Sequence, residues 1–157
     1  MQQTDLDWLI KRVWRRPLSE SEAQALARAW ELKAFDAGSV LIEEGKPGGK
    51  LWLLRSGLAE IQLDRGGRSL RIATAREGAL VGEMSFLSDA PASATVVAAE
   101  PVSAYGLARD AALGLMREHP ELMLGLFAYM LAHHAETVRR MNEEFFQLYD
   151  YLTGTHK

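Results

Sequence analysis

The 157-residue chain contains no cysteine, which excludes disulfides, thiolate metal sites and cysteine nucleophiles. It also lacks a surplus of positive charge. Eighteen Lys and Arg against 21 Asp and Glu give a formal net charge of −3. Domains that grip nucleic acid carry a basic excess, so charge gives no support to a nucleic-acid partner. No stretch approaches the ~18 apolar residues of a membrane span, and Met1 to Arg16 lacks the apolar core of a signal peptide. The expectation is a soluble, cytoplasmic protein without a transmembrane segment. Nucleophile-elbow, P-loop and zinc-protease motifs are missing, and no acid–base pair is evident. The chain is therefore expected not to be an enzyme, with no catalytic residues and no cofactor. His133 and His134 are adjacent, so on a helix they point about 100° apart and do not converge on one metal ion; no metal site is expected.

What is present suits a folded domain. Hydrophobic residues make up 48% and charged residues 25%, outside the range of compositional disorder. Residues 1–31 read as helical. Trp8, Leu9, Val13 and Trp14 fall at helical spacing, and Lys11, Arg12, Arg15 and Arg16 form a small basic cluster, read as a solvated face or as a contact for an acidic partner or membrane. Ser19 and Glu22 form a capping box. It opens a helix expected over 20–31, with Ala23, Leu26, Ala27 and Trp30 as its apolar stripe.

Residues 32–108 change character to short β-type runs punctuated by glycines. The runs are 40–42, 51–54, 59–63, 70–73, 79–81, 94–98 and 102–107, with a turn at Asp64-Arg65-Gly66-Gly67. Glycines at 38, 45, 48, 57, 78 and 82 are expected to supply positive φ at tight corners. From 109 to 152 the pattern is helical again. A short helix is expected over 110–118, and Pro120 suits the first position of a second. Leu122, Leu126, Met130, His134, Thr137 or Val138, Met141, Phe145, Leu148 and Leu152 recur at steps of three and four. They imply a helix of about 32 residues, roughly 48 Å long. That exceeds what a small β-domain covers, so its distal half is expected to pack on a second copy, the other reading being a fold-back onto the N-terminal helices. The whole is expected to be one α+β domain: an antiparallel, jelly-roll-like β-roll with N-terminal helices, a short internal helix and a long C-terminal helix.

Two segments carry a resemblance. Leu41 to Gly57, a strand, a glycine turn and a second strand ending in glycine, resembles the first signature of cyclic-nucleotide-binding domains of the catabolite activator and protein kinase A regulatory type. Lys46 departs from it, because a small, polar or acidic residue is usual there. Val81-Gly82-Glu83-Met84-Ser85-Phe86 through Asp89 to Val96 resembles the family's phosphate-binding cassette. The resemblance implies a regulatory domain in which cAMP or cGMP lies against Gly82, Glu83, Met84, Ser85, Ala92, Ser93 and Ala94. Glu83 would accept from the ribose 2′-hydroxyl, and Gly82 would let the backbone approach the sugar. It also implies that the long helix closes over the base, with His133, His134, Glu136 and Thr137 as candidates. The cassette is degenerate: the family's phosphate-binding arginine aligns with Ala92. A charge-assisted bond contributes about 1.5–3 kcal/mol, so its loss weakens affinity about tenfold or more. Ser93 offers only a neutral hydroxyl; Arg71, Arg76, Arg139 and Arg140 are the arginines considered as substitutes. The family's transcription factors add about 60 further residues of winged helix beyond the long helix. After Leu152 only five residues remain here, so no DNA-binding domain is expected. Two readings stay open: a sensor that binds a cyclic nucleotide or dinucleotide, and a ligand-free adaptor. In the second, the long helix and its aromatic end, Phe145, Phe146, Tyr149 and Tyr151, dimerise or bind a protein partner.

Overall fold

The computed structural model of the chain describes residues 3–88 and 90–154, with side chains from residue 6 onward. Asp89, within the cassette, lies outside the described residues.

Two helices, α1 (Gln3–Val13) and α2 (Glu20–Ala29), precede eight strands: β1 (Trp30–Phe35), β2 (Val40–Ile42), β3 (Lys50–Ser56), β4 (Ala59–Arg65), β5 (Arg68–Ala75), β6 (Leu80–Val81), β7 (Thr95–Ala98) and β8 (Val102–Ala108). The short helix α3 (Glu83–Ser88) interrupts the strands, and α4 (Arg109–Glu118) and α5 (Pro120–Thr153) follow them. The strands form two antiparallel sheets, β1-β8-β3-β6 and β2-β7-β4-β5. This is the anticipated β-roll flanked by helices.

β3 explains the layering. Its residues Leu51 to Leu54 are all buried, because alternate side chains enter different cores. Leu51 and Leu53 join Leu26, Tyr105, Leu107, Leu122 and Leu126 between sheet and helices. Trp52 and Leu54 join Phe35, Val81, Val96 and Ala104 between the sheets. Each fully buried leucine contributes about 1.5–3 kcal/mol, so the strand binds both layers together.

The helical ends differ from expectation in detail. The capping box at Ser19 is present, with Glu22 accepting from the Ser19 N–H at 2.7 Å and Ser19 Oγ accepting from the Glu22 N–H. The Arg16 guanidinium, 2.6 Å from Glu22, and the Ser19 backbone N–H hold that carboxyl at about 2. Yet α2 stops at Ala29. Trp30 begins β1 instead, paired with Leu107 across six residues of β8, and Ala27 is exposed. Of the basic cluster, Arg16 binds Glu22, and Arg12 donates to the Tyr129 hydroxyl and the Glu77 carbonyl. These two are structural rather than freely solvated.

α5 has 34 residues, about 51 Å. Its first turns dock on the domain. Trp14 Nε1 donates to the Leu122 carbonyl at 2.8 Å, and Leu122, Met123, Leu126 and Met130 are buried. Beyond Met130 the apolar side chains face outward: Leu131, Val138, Phe145 and Leu152, seven residues apart, are 54–72% exposed. His133 and Arg140 of that half border a groove with Arg12 and Val13 of α1, but among the described residues neither α1 nor α2 covers these four apolar side chains.

Candidate functional site

The site is built around a strand-to-helix corner. β6 ends at Val81, Gly82 turns with φ +85°, and α3 begins at Glu83. A Cβ at residue 82 would also stand 2.8 Å from the Lys50 carbonyl oxygen, so both conformation and space require glycine. Gly48 acts differently from the expectation of a positive φ; in this loop the left-handed residues are Gly45 and Gly49. Its lack of a side chain makes room for α3, since a Cβ there would lie 2.2 Å from Ser85 Cβ. Ser85 is buried and donates its hydroxyl to the Gly82 carbonyl at 3.1 Å.

A residue not singled out from the sequence holds this arrangement. Arg109 donates through Nε to the Phe86 carbonyl at 3.0 Å and through Nη2 to the Ser85 carbonyl at 2.5 Å. Its backbone N–H donates to the Gly49 carbonyl. One residue thus joins the glycine loop to α3. A signal existed: Arg109 opens α4, where a cation opposes the helix dipole and no side chain caps Ala108. A cation placed there suggests that its charge is engaged elsewhere.

Gly82, Glu83, Met84, Ser85, Ala92, Ser93 and Ala94 all line one cleft, completed by Ile42, Ile61, Leu80, Val81 and Val96. It encloses about 430 Å³ including its open mouth. Among the described residues Glu83 is the only charged one in its lining. Ala92 is 7% exposed and is paired through its backbone with the loop opposite: its N–H donates to the Lys46 carbonyl, and its carbonyl accepts from the Gly45 N–H.

The cleft adjoins a second hollow beneath α5, sharing Ile61, Leu80 and Glu83 with it. His133, His134, Glu136 and Thr137, the candidates on the long helix, line that hollow with Arg140. His134 Nε2 lies 3.6 Å from the Glu83 carboxylate, so α5 already touches the cassette. Burial pushes the His133 imidazole below its usual range, which favours the neutral ring. Of the four arginines considered as substitutes, only Arg140 reaches this hollow. Arg71 pairs with Glu60, Arg139 pairs with Glu136, and Arg76 lines a separate groove near Arg12.

Comparison with known proteins agrees with this geometry. Residues 32–119 match the model of the cyclic nucleotide-binding domain. A cAMP-dependent protein kinase regulatory subunit from Colletotrichum orbiculare is 34% identical over 105 residues, 67% of this chain and 26% of the relative. The chain therefore spans about a quarter of that relative's length. Among solved structures, a cyclic nucleotide-binding domain from Methylobacillus flagellatus superposes with a TM-score of 0.81 at 26% identity, covering 92% of this chain and 84% of the other. Thermus thermophilus catabolite activator protein gives 0.66 at 27% identity, covering 85% and 61%. With more than half of its length matched to the family, and with the β-roll, the corner at Gly82 and the long helix in place, the chain belongs to the cyclic nucleotide-binding domain family.

Proposed function

We propose that this domain is a sensor whose cassette cleft binds cAMP or cGMP weakly and whose α5 helix transmits occupancy. The observation that carries the reading is the junction at Glu83, which lines both the cassette cleft and the hollow under α5. A nucleotide ribose accepted by Glu83 would compete with His134 for the same carboxylate, so ligand and helix position are coupled there. Binding of this kind biases a two-state arrangement only through its differential affinity for the two states. The cassette is degenerate at Ala92, which accounts for weak rather than tight binding. Similarity to cAMP-dependent protein kinase regulatory subunits and cGMP-dependent protein kinases supports this ligand class, and the cassette resemblance supports the site residues.

The domain is further proposed to be a homodimer through 121–152. The support is the row Leu131, Val138, Phe145 and Leu152 at heptad spacing, with Met141 and Leu148 between them, all exposed on one chain. A seam with this period winds with an identical partner.

The test is titration of two variants against the native chain with cAMP and cGMP. Glu83→Gln, which keeps shape and removes the acceptor charge, is expected to weaken binding about tenfold or more, the scale of one charge-assisted bond. Ala92→Arg is expected to tighten it by about tenfold. Native-like affinity in both variants would contradict the reading.

A second reading has its own observation. Among the described residues the cleft lining holds no cation, and Glu83 is already in contact with His134. A ligand-free adaptor, with the β-roll as scaffold and the exposed end of α5 as its partner surface, accounts for both. In that case neither substitution has a binding phenotype, because the native chain takes up no nucleotide.

A further inference from the structure

Two departures from the family pattern, lysine at 46 and alanine at 92, are 46 positions apart in sequence and adjacent in space. The Ala92 N–H donates to the Lys46 carbonyl at 2.9 Å, the Gly45 N–H donates to the Ala92 carbonyl at 2.8 Å, and Pro47 bridges Pro91. Lys46, Gly48, Lys50, Ser85 and Ala92 line one hollow, which shares Ile42, Ser85 and Ala92 with the cassette cleft. A phosphate bound at the cassette therefore has an alanine where a cation is usual, and a lysine on the backbone directly paired with that alanine.

From this we infer that Lys46 supplies the phosphate-binding cation of this domain, in place of an arginine at 92. This rests on the cyclic-nucleotide reading above and names the residue that neutralises the ligand. Three observations favour Lys46 over its neighbours. The other lysine of the hollow, Lys50, is ion-paired with Glu31 and stands over the Trp52 ring. Arg109 is committed to the Ser85 and Phe86 carbonyls. Among the described residues the Lys46 ammonium is held only by Glu43 at 3.9 Å, with both side chains about two-thirds exposed. Exposed pairs of that kind contribute little, so the ammonium is released at small cost and swings on a flexible four-carbon stem. Lysine binds phosphate as a point charge and lacks the bidentate fork of arginine, consistent with binding that is retained but weakened.

The experiment is a double-mutant cycle by calorimetric titration with cAMP, using the full chain. Lys46→Ala is expected to weaken binding about tenfold, whereas Lys46→Arg keeps it. Ala92→Arg is expected to gain more affinity in the Lys46→Ala background than in the native chain, because each cation serves the same phosphate and the effects of neighbours do not add. The Lys46 side chain is about two-thirds exposed, so its variants are expected to keep the fold; Ala92 is 7% exposed, so circular dichroism is used to confirm that the arginine variants fold before their affinities are compared. Native-like affinity in Lys46→Ala, with cAMP bound by the native chain, overturns this inference and leaves the sensor reading standing. A native chain that binds no cAMP overturns both.

Discussion

At the scale of single residues, the site depends on Arg109, which does not line the cleft. Arg109 donates two charge-assisted hydrogen bonds to carbonyls of a helix only six residues long. Such a helix is too short to persist on propensity alone, so its position is set by Gly48, Gly82 and Arg109. Arg109→Ala leaves the Ser85 and Phe86 carbonyls without these donors. The expected cost is about 1.5–3 kcal/mol, the range for a hydrogen bond to a charged group. It should appear in hydrogen exchange as loss of protection concentrated in 83–88. Uniform loss along the whole chain would mean that Arg109 supports the fold in general and not the cassette.

At the scale of elements, α5 divides into a docked half and a free half. The division falls at Met130, the last buried residue of the helix. In the native chain the free half is expected to be covered by a second copy. Val138→Glu combined with Phe145→Glu places charges on the seam without disturbing any residue buried within one chain, since both side chains are more than half exposed. The pair should convert a dimer to a monomer in size-exclusion chromatography with light scattering, with helicity per chain largely kept. A native chain that is monomeric at high concentration would contradict the proposed dimer. The helix itself was legible from its step of three and four, because that period survives whichever partner covers it. β1 was not legible. Trp30 fits the stripe of α2, and only pairing with β8, some 70 residues away, draws 30–35 into a sheet.

At the scale of the whole molecule, the cassette and its glycines were readable because their spacing is a local property of the chain. The sequence placed all seven candidate residues in one segment, and the fold gathers them in one cleft. What was not readable is long-range: the pairing of Lys46 with Ala92, the reach of Arg109 to α3, and the contact of His134 with Glu83. Each joins elements whose separation only the closed β-roll brings to zero. Among the described residues no helix is long and apolar enough to cross a membrane, and the fold is that of the cyclic nucleotide-binding domain family. Whether the cleft takes up a nucleotide decides between a sensor and an adaptor. The most direct measurement is calorimetric titration of the native chain with cAMP and then cGMP. Saturable binding in the micromolar range is expected, weak for a dedicated receptor and sensitive to substitution of Glu83. Absence of saturable binding up to millimolar ligand would contradict it and leave the adaptor reading in its place.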